Sequence, residues 1–160
     1  MFSISRPYDP RHSDLLTSSL FDQDTFYLRF IQDLEYCNSE VIIESPFITS
    51  RRLESMLPTF DRLRLRGVRI VINTKHPDEH DDDYLHHEAQ YAVDELLDLG
   101  VKVLFTGGHH RKLAILDRRI LFEGSLNILS QSDSCEIMRR IESEALAQQM
   151  VEFTKINKYL

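Results

Sequence analysis

The sequence predicts an α/β protein built on a mixed, mostly parallel sheet with helices on both faces. Three observations predict it. Short β-branched runs alternate with longer stretches of helical spacing, the pattern of right-handed crossovers. Two apolar runs separated only by Asp117-Arg118 are too close for a crossover, so they add an antiparallel pair. At 160 residues, 42% hydrophobic and 28% charged, the chain suits one soluble domain with a real core.

Each element follows in order. Residues 1–20, rich in Ser, Pro and Asp, read as a lead-in to a single domain over 21–160. Asp24 is placed to cap a helix to Tyr36, with Phe26, Phe30, Ile31 and Leu34 near helical spacing. Val41-Ile42-Ile43 reads as a buried strand stopped by Ser45-Pro46. Thr49 or Ser50 then caps a helix to Arg66, with Leu53, Met56, Leu57, Phe60 and Leu63 on one stripe. Pro58 predicts a kink or break in that helix, and Gly67 ends it. Val68 to Asn73 is the second strand. An acidic, His-containing loop over 76–83 leads to a helix from Tyr84 to Leu99, ended by Gly100. Val101 to Phe105 is the third strand, and Gly107-Gly108 a turn. Arg111 to Leu116 and Arg119 to Phe122 form the antiparallel pair. Glu136 to Ile141 is the last strand, and Ser143 caps a final helix to Tyr159.

Composition narrows the function. No apolar run approaches the roughly 18–20 residues of a membrane span, and the polar N-terminus lacks a signal-peptide core, so a cytoplasmic location without membrane association is expected. Two cysteines, Cys37 and Cys135, cannot make a disulfide framework and read as buried thiols. A net charge of −7 argues against a surface that coats nucleic acid. The charge is uneven. Seven basic residues face only Glu54 and Asp61 between Arg51 and Lys75, whereas residues 77–99 hold nine acidic residues and no Lys or Arg.

The chemistry concentrates between His109 and Asn127. On an extended segment His110 and Lys112 project to one face and Arg111 to the other, while His109 becomes a rim residue. A histidine beside a lysine offers an anion site with a nucleophile or acid next to it. Ser125 and Asn127, two apart beside Gly124, add neutral hydrogen-bonding groups. Such a set suits phosphate: Lys112 neutralises charge, Ser125 and Asn127 fix oxygens, and His110 attacks phosphorus or protonates a leaving oxygen. Ligand sites of such sheets lie at strand carboxyl ends. There Arg51 and Arg52 are candidate substrate-binding residues, and Phe47 could stack on a base or pack. Arg62 to Arg69 read as a solvated face, and the His76–His87 segment as a solvated loop and helix start rather than a metal site.

His110-x-Lys112 with Asp117 matches the H-x-K-x-x-x-x-D signature, and Gly124-Ser125-Leu126-Asn127 the downstream G-S-x-N element, of the phospholipase D superfamily. The chain resembles that family over most of its length, and a single copy of the motif is similar to its small bacterial nuclease branch. The resemblance implies a phosphodiesterase that uses no cofactor or metal. His110 would be nucleophile in one subunit of a homodimer and general acid/base in the other. Lys112, Ser125 and Asn127 would bind phosphate, with Asp117 and Glu136 as supports. Glu136, or its competitor Glu142, would hold the second ring nitrogen of His110. Asp117 is equally placed to be only a turn residue. Leu129 departs from the Ser or Thr the family often carries two residues after the Asn. Nucleic acid, with DNA favoured, is the expected partner, together with a possible targeting protein. The competing readings are a phospholipid phosphodiesterase and a non-catalytic nucleic-acid-binding or assembly module of a DNA-processing or defence system.

Overall fold

The computed structural model describes residues 14–131 and 133–160, so the first thirteen positions of the expected lead-in lie outside it. Its strands are β1 (Ser19–Phe21), β2 (Glu40–Glu44), β3 (Arg69–Thr74), β4 (Lys102–Phe105), β5 (Leu113–Leu116), β6 (Ile120–Gly124) and β7 (Met138–Glu142). The helices are α1 (Phe26–Glu35), α2 (Ser50–Leu65), α3 (Asp83–Asp98) and α4 (Glu144–Thr154). One sheet runs in the order β1-β7-β6-β5-β2-β3-β4.

The sheet is mixed, but the expectation of mostly parallel pairing needs correction. Only β2–β3 and β3–β4 are parallel, and the other four pairings are antiparallel. The three-residue link over 117–119 forces reversal, and β7 and β1 continue the reversed pairing beyond β6. β1 is a short edge strand that the polar lead-in concealed.

Alternation along the strands makes two cores. Val41, Ile43, Ile70, Ile72, Ala114, Leu116 and Phe122 pack with α1, α2 and α3. Ile42, Val71, Leu113, Ile115 and Leu121 pack with Ala147 and Val151 of α4 on the other face. The stripe predicted for α2 is present: Leu53, Met56, Phe60 and Leu63 are fully buried. Pro58 neither breaks nor ends α2.

Local corrections are physical. Asp22, not Asp24, organises the start of α1: its Oδ1 accepts from the amides of Asp24 and Thr25 and from Thr25 Oγ1. The α2 start is held from another element, because Ser50 N and Oγ donate to Glu88 Oε2 at 2.7 and 2.8 Å. Lys155 takes a left-handed conformation, φ 55°, and splits the expected last helix into α4 and a 3₁₀ turn at Ile156–Tyr159. Cys37 is buried, and burial pushes its thiol up to about 12, but Cys135 is exposed.

The β5–β6 hairpin is a tight reversal. Asp117 and Arg118 are both left-handed, φ 50° and 51°, as the central residues of a primed turn require, and Arg119 N closes that turn on the Leu116 carbonyl at 3.0 Å. The Asp117 carboxylate accepts from the amides of Asn38, Ser39 and Glu40 and from Ser39 Oγ, all between 2.8 and 2.9 Å. Burial works against its ionisation, but these bonds outweigh burial and hold its pKa below the ordinary Asp value. A carboxylate with a lowered folded pKa stabilises the protein above its unfolded pKa and loses that effect as pH falls through the folded value. Asp117→Asn is expected to cost about 1.5–3 kcal/mol at neutral pH. In urea unfolding, the gap to the parent protein should narrow below about pH 4.

Candidate active site

One edge of the sheet gathers the residues of interest. β2 pairs Glu44 with Asn73 of β3 on one side and with Leu113 of β5 on the other. Ser45, Thr74 and Lys112 therefore meet at the same edge, and Gly124 at the end of β6 joins them. Gly124 N donates to the Lys112 carbonyl (3.3 Å) and Ser125 N to the Ile137 carbonyl (2.9 Å), while Ile137 N donates back to Ser125 Oγ (3.0 Å). Leu126, Ile128 and Leu129 plug the following loop into the core, leaving Ser125 and Asn127 between them. Leu129 is fully buried, so its departure from Ser or Thr does not alter the pocket surface.

His110 is exposed in the loop between β4 and β5, and Lys112 is half-buried before β5. Lys112 Nζ donates to the His110 carbonyl (2.8 Å) and lies 3.1 Å from His110 Nδ1. A ring nitrogen that accepts from an ammonium carries no proton, so a neutral ring in this pairing keeps its proton on Nε2; the form that protonates a leaving oxygen is the imidazolium, with a proton on each nitrogen. Attack by Nε2 requires the other tautomer and release of Nδ1 by Lys112. Burial pushes the Lys112 ammonium pKa down, with Glu136 opposing and Lys75 adding to the effect.

The Glu136 carboxylate accepts a short hydrogen bond from Ser125 Oγ, and its backbone is held by Gln23 Oε1 at 2.9 Å. Glu136 thus supports Ser125 rather than the His110 ring of its own chain. Its competitor Glu142 lies opposite Ile120 at the far end of β6 and is tied to Arg119 and Arg140. Asn127 keeps its side-chain oxygen buried without a hydrogen-bond partner among the described residues. Asp117 does not join this group. It closes the opposite end of β5, roughly 16 Å along the strand from Lys112 at about 3.3 Å per residue.

A polar brace lies on the α4 face, under the loop. Glu44 has no exposed surface, and its oxygens accept from Arg111 Nε (2.5 Å) and Nη2 (2.9 Å) and from Asn73 Nδ2 (3.1 Å). Thr106 Oγ1 donates to Asn73 Oδ1 at 3.0 Å. Arg111 thus occupies the face opposite Lys112, as the alternation requires. His109 is buried here, 2% exposed, rather than at the rim. Burial lowers its imidazole pKa, with Glu44 opposing.

The substrate-binding candidates divide. Arg52 stacks on Tyr27, 3.6 Å from the ring centroid, and Tyr27 Oη donates to the Ile128 carbonyl (2.9 Å). Burial pushes the Tyr27 hydroxyl up to about 12, with Arg52 opposing and Glu136 adding. Arg51 instead lines a groove with Tyr84, Glu88 and Gln131. Phe47 packs: its ring carries Lys75 Nζ at 5.1 Å and lies 5.3 Å from the His80 ring.

Among the described residues no cluster of three or more His, Cys, Asp or Glu is arranged to hold a metal ion. The acidic segment instead caps and braces. Asp82 caps α3, and Glu79 Oε2 accepts from Gly108 N at 3.1 Å, tying the segment to the His110 loop. Lys75, Tyr27 and Glu44 escaped the sequence reading. Lys75 directly follows a strand and Glu44 ends an apolar run, both usable signals. Tyr27 sits among core aromatics and gives none.

Residues 30–156 match the family model described as cardiolipin synthase, PLD-like domain. No match was found among curated proteins. Similar solved structures include Nuc from Salmonella typhimurium, a phospholipase D family member, at TM-score 0.66 and 14% identity over 85% of this chain and 91% of that one. NucT from Helicobacter pylori gives TM-score 0.66 and 18% identity over 86% and 92%. Phosphatidylserine synthase from Haemophilus influenzae Rd KW20 gives TM-score 0.61 and 15% identity, over 88% of this chain and 38% of that one. These likenesses are of fold.

Gly124 sets the pocket spacing. A Cβ there would strike the Ile137 carbonyl and lie 2.8 Å from Met138 Sδ. Gly124→Ala is expected to cost about 1–3 kcal/mol by overpacking, read as a lower urea midpoint with an unchanged slope.

Proposed function

Because the chain belongs to the PLD-like domain family, we propose that it is a metal-independent phosphodiesterase that cleaves polynucleotides, DNA foremost, at a site completed by a second copy. The observation that carries this reading is the convergence of His110, Lys112, Ser125, Asn127 and Glu136 on one sheet edge, with one His–Lys pair. Residues 21–160 form its catalytic domain. No helix among the described residues is long and apolar enough to cross a membrane, and a cytoplasmic substrate suits the reading.

In-line displacement at phosphorus needs groups on both sides, and one imidazole occupies one side. Nε2 of one His110 attacks phosphorus, and the bond to the leaving oxygen breaks as His110 of the second copy gives that oxygen its proton. The second imidazole then takes a proton from water as the water oxygen attacks, and the phosphorus–nitrogen bond breaks. Lys112, drawn from His110 to the phosphate, neutralises its charge, and Ser125 and Asn127 hold its oxygens. A two-fold dimer supplies the second histidine without further sequence.

Purified protein is expected to cleave plasmid or single-stranded DNA in excess EDTA, and His110→Ala to lose about a thousandfold or more of that rate. Cleavage only with added divalent metal, or an active His110→Ala protein, would overturn the mechanism. Headgroup release from phosphatidylcholine vesicles without DNA cleavage would replace the nuclease reading with the lipid one.

A further inference from the structure

We propose that Lys75, carried on the Phe47 ring, binds the phosphate next to the scissile one, so that the site holds two consecutive phosphates of a polynucleotide. The inference rests on the phosphodiesterase reading and names what that site grips beyond the reacting group.

Lys75 leaves the end of β3 and Lys112 the start of β5, with β2 between them, so their backbones stand about 10 Å apart, two strand spacings. Lysine stems readily close such a gap. The two ammonium groups feel one another's repulsion. Among the described residues, no carboxylate lies within ion-pairing distance of either. Several arginines, by contrast, are matched with carboxylates. Arg62 and Arg66 are paired with Glu35, Arg69 and Arg118 with Glu40, Arg111 with Glu44 and Arg140 with Asp33.

The charges of Glu136 and Glu79 act on Lys112 and Lys75 without forming an ion pair, and two neighbouring cations gain further when anions arrive between them. A single diester carries one negative charge, which Lys112 already answers. A second phosphate on the same strand supplies the second. Lys75 is also not free to wander. It rests on Phe47, whose ring is braced by His80. The turn carrying His80 is tied through Glu79 to the His110 loop. His80 Nε2 is itself buried without a partner among the described residues, a spare polar atom at the same spot.

The test uses a thymidine trimer, whose two linkages are either both phosphodiester or one phosphodiester and one uncharged methylphosphonate, placed on the 5′ or the 3′ side. Cleavage of the phosphodiester is measured as kcat/KM for the parent protein, Lys75→Met and Lys75→Arg. Neutralising the flanking linkage on one side should cost the parent protein about tenfold. Lys75→Met should already have lost that factor on the all-phosphodiester trimer and lose little more on the neutralised one. Lys75→Arg should behave as the parent. Losses that multiply on both sides, or a Lys75→Met protein as fast as the parent on the all-phosphodiester trimer, would overturn the subsite alone. A parent protein that cleaves plasmid but not the trimer would also overturn it. No cleavage of any polynucleotide would overturn the nuclease reading together with the subsite.

Discussion

A carboxylate with no exposed surface decides the handedness of the site. Glu44 holds Arg111 on the α4 face of the sheet through two hydrogen bonds, and Asn73 and Thr106 close the remaining valences around it. Arg111 is itself partly exposed, but without it the buried Glu44 carboxylate would lose its counter-charge, a strongly unfavourable state. Arg111 is therefore fixed, and the residues on either side of it follow. Side chains alternate along an extended chain, so Lys112 must take the opposite face and meet His110 there. The remaining contacts of the site refine a choice that this pair has already made.

Much of the fold was legible because it rests on periodicity. The apolar stripe of α2, the β-branched runs of β2 and β3, and the turn at Asp117-Arg118 are all local signals. The pairing of β5 with β2 is not local. It joins residues some seventy positions apart, and no pattern in either segment states the partner. The parallel bias of the reading came from counting crossovers and failed for that reason. β1 was hidden because three residues at an exposed edge need little apolar character.

The candidate site divides in the same way. His110, Lys112, Ser125 and Asn127 could be named because they stand close together in sequence and share a chemistry. Glu136 could be placed only loosely, and its role with Ser125 depends on how the loop after Gly124 folds back on Ile137. The face read as solvated over Arg62 to Arg69 turns out to be largely ion-paired. Arg62, Arg66 and Arg69 are held by Glu35 and Glu40 at the end of the sheet away from His110, and Arg64 donates to the Leu99 carbonyl. Charge counted along a chain does not report charge left over after folding.

The distance between Lys112 and Asp117 in the signature has a mechanical meaning. The four residues between them are β5 itself, Leu113–Leu116. The basic pair sits at one end of that strand and the acid locks the turn at the other. The motif is thus a ruler as much as a set of reagents. It measures one strand, from the edge where phosphate chemistry is placed to the edge where the hairpin is pinned against the start of β2. A ruler one residue longer or shorter would turn Lys112 to the side Arg111 now occupies, and the signature would survive as letters without a site.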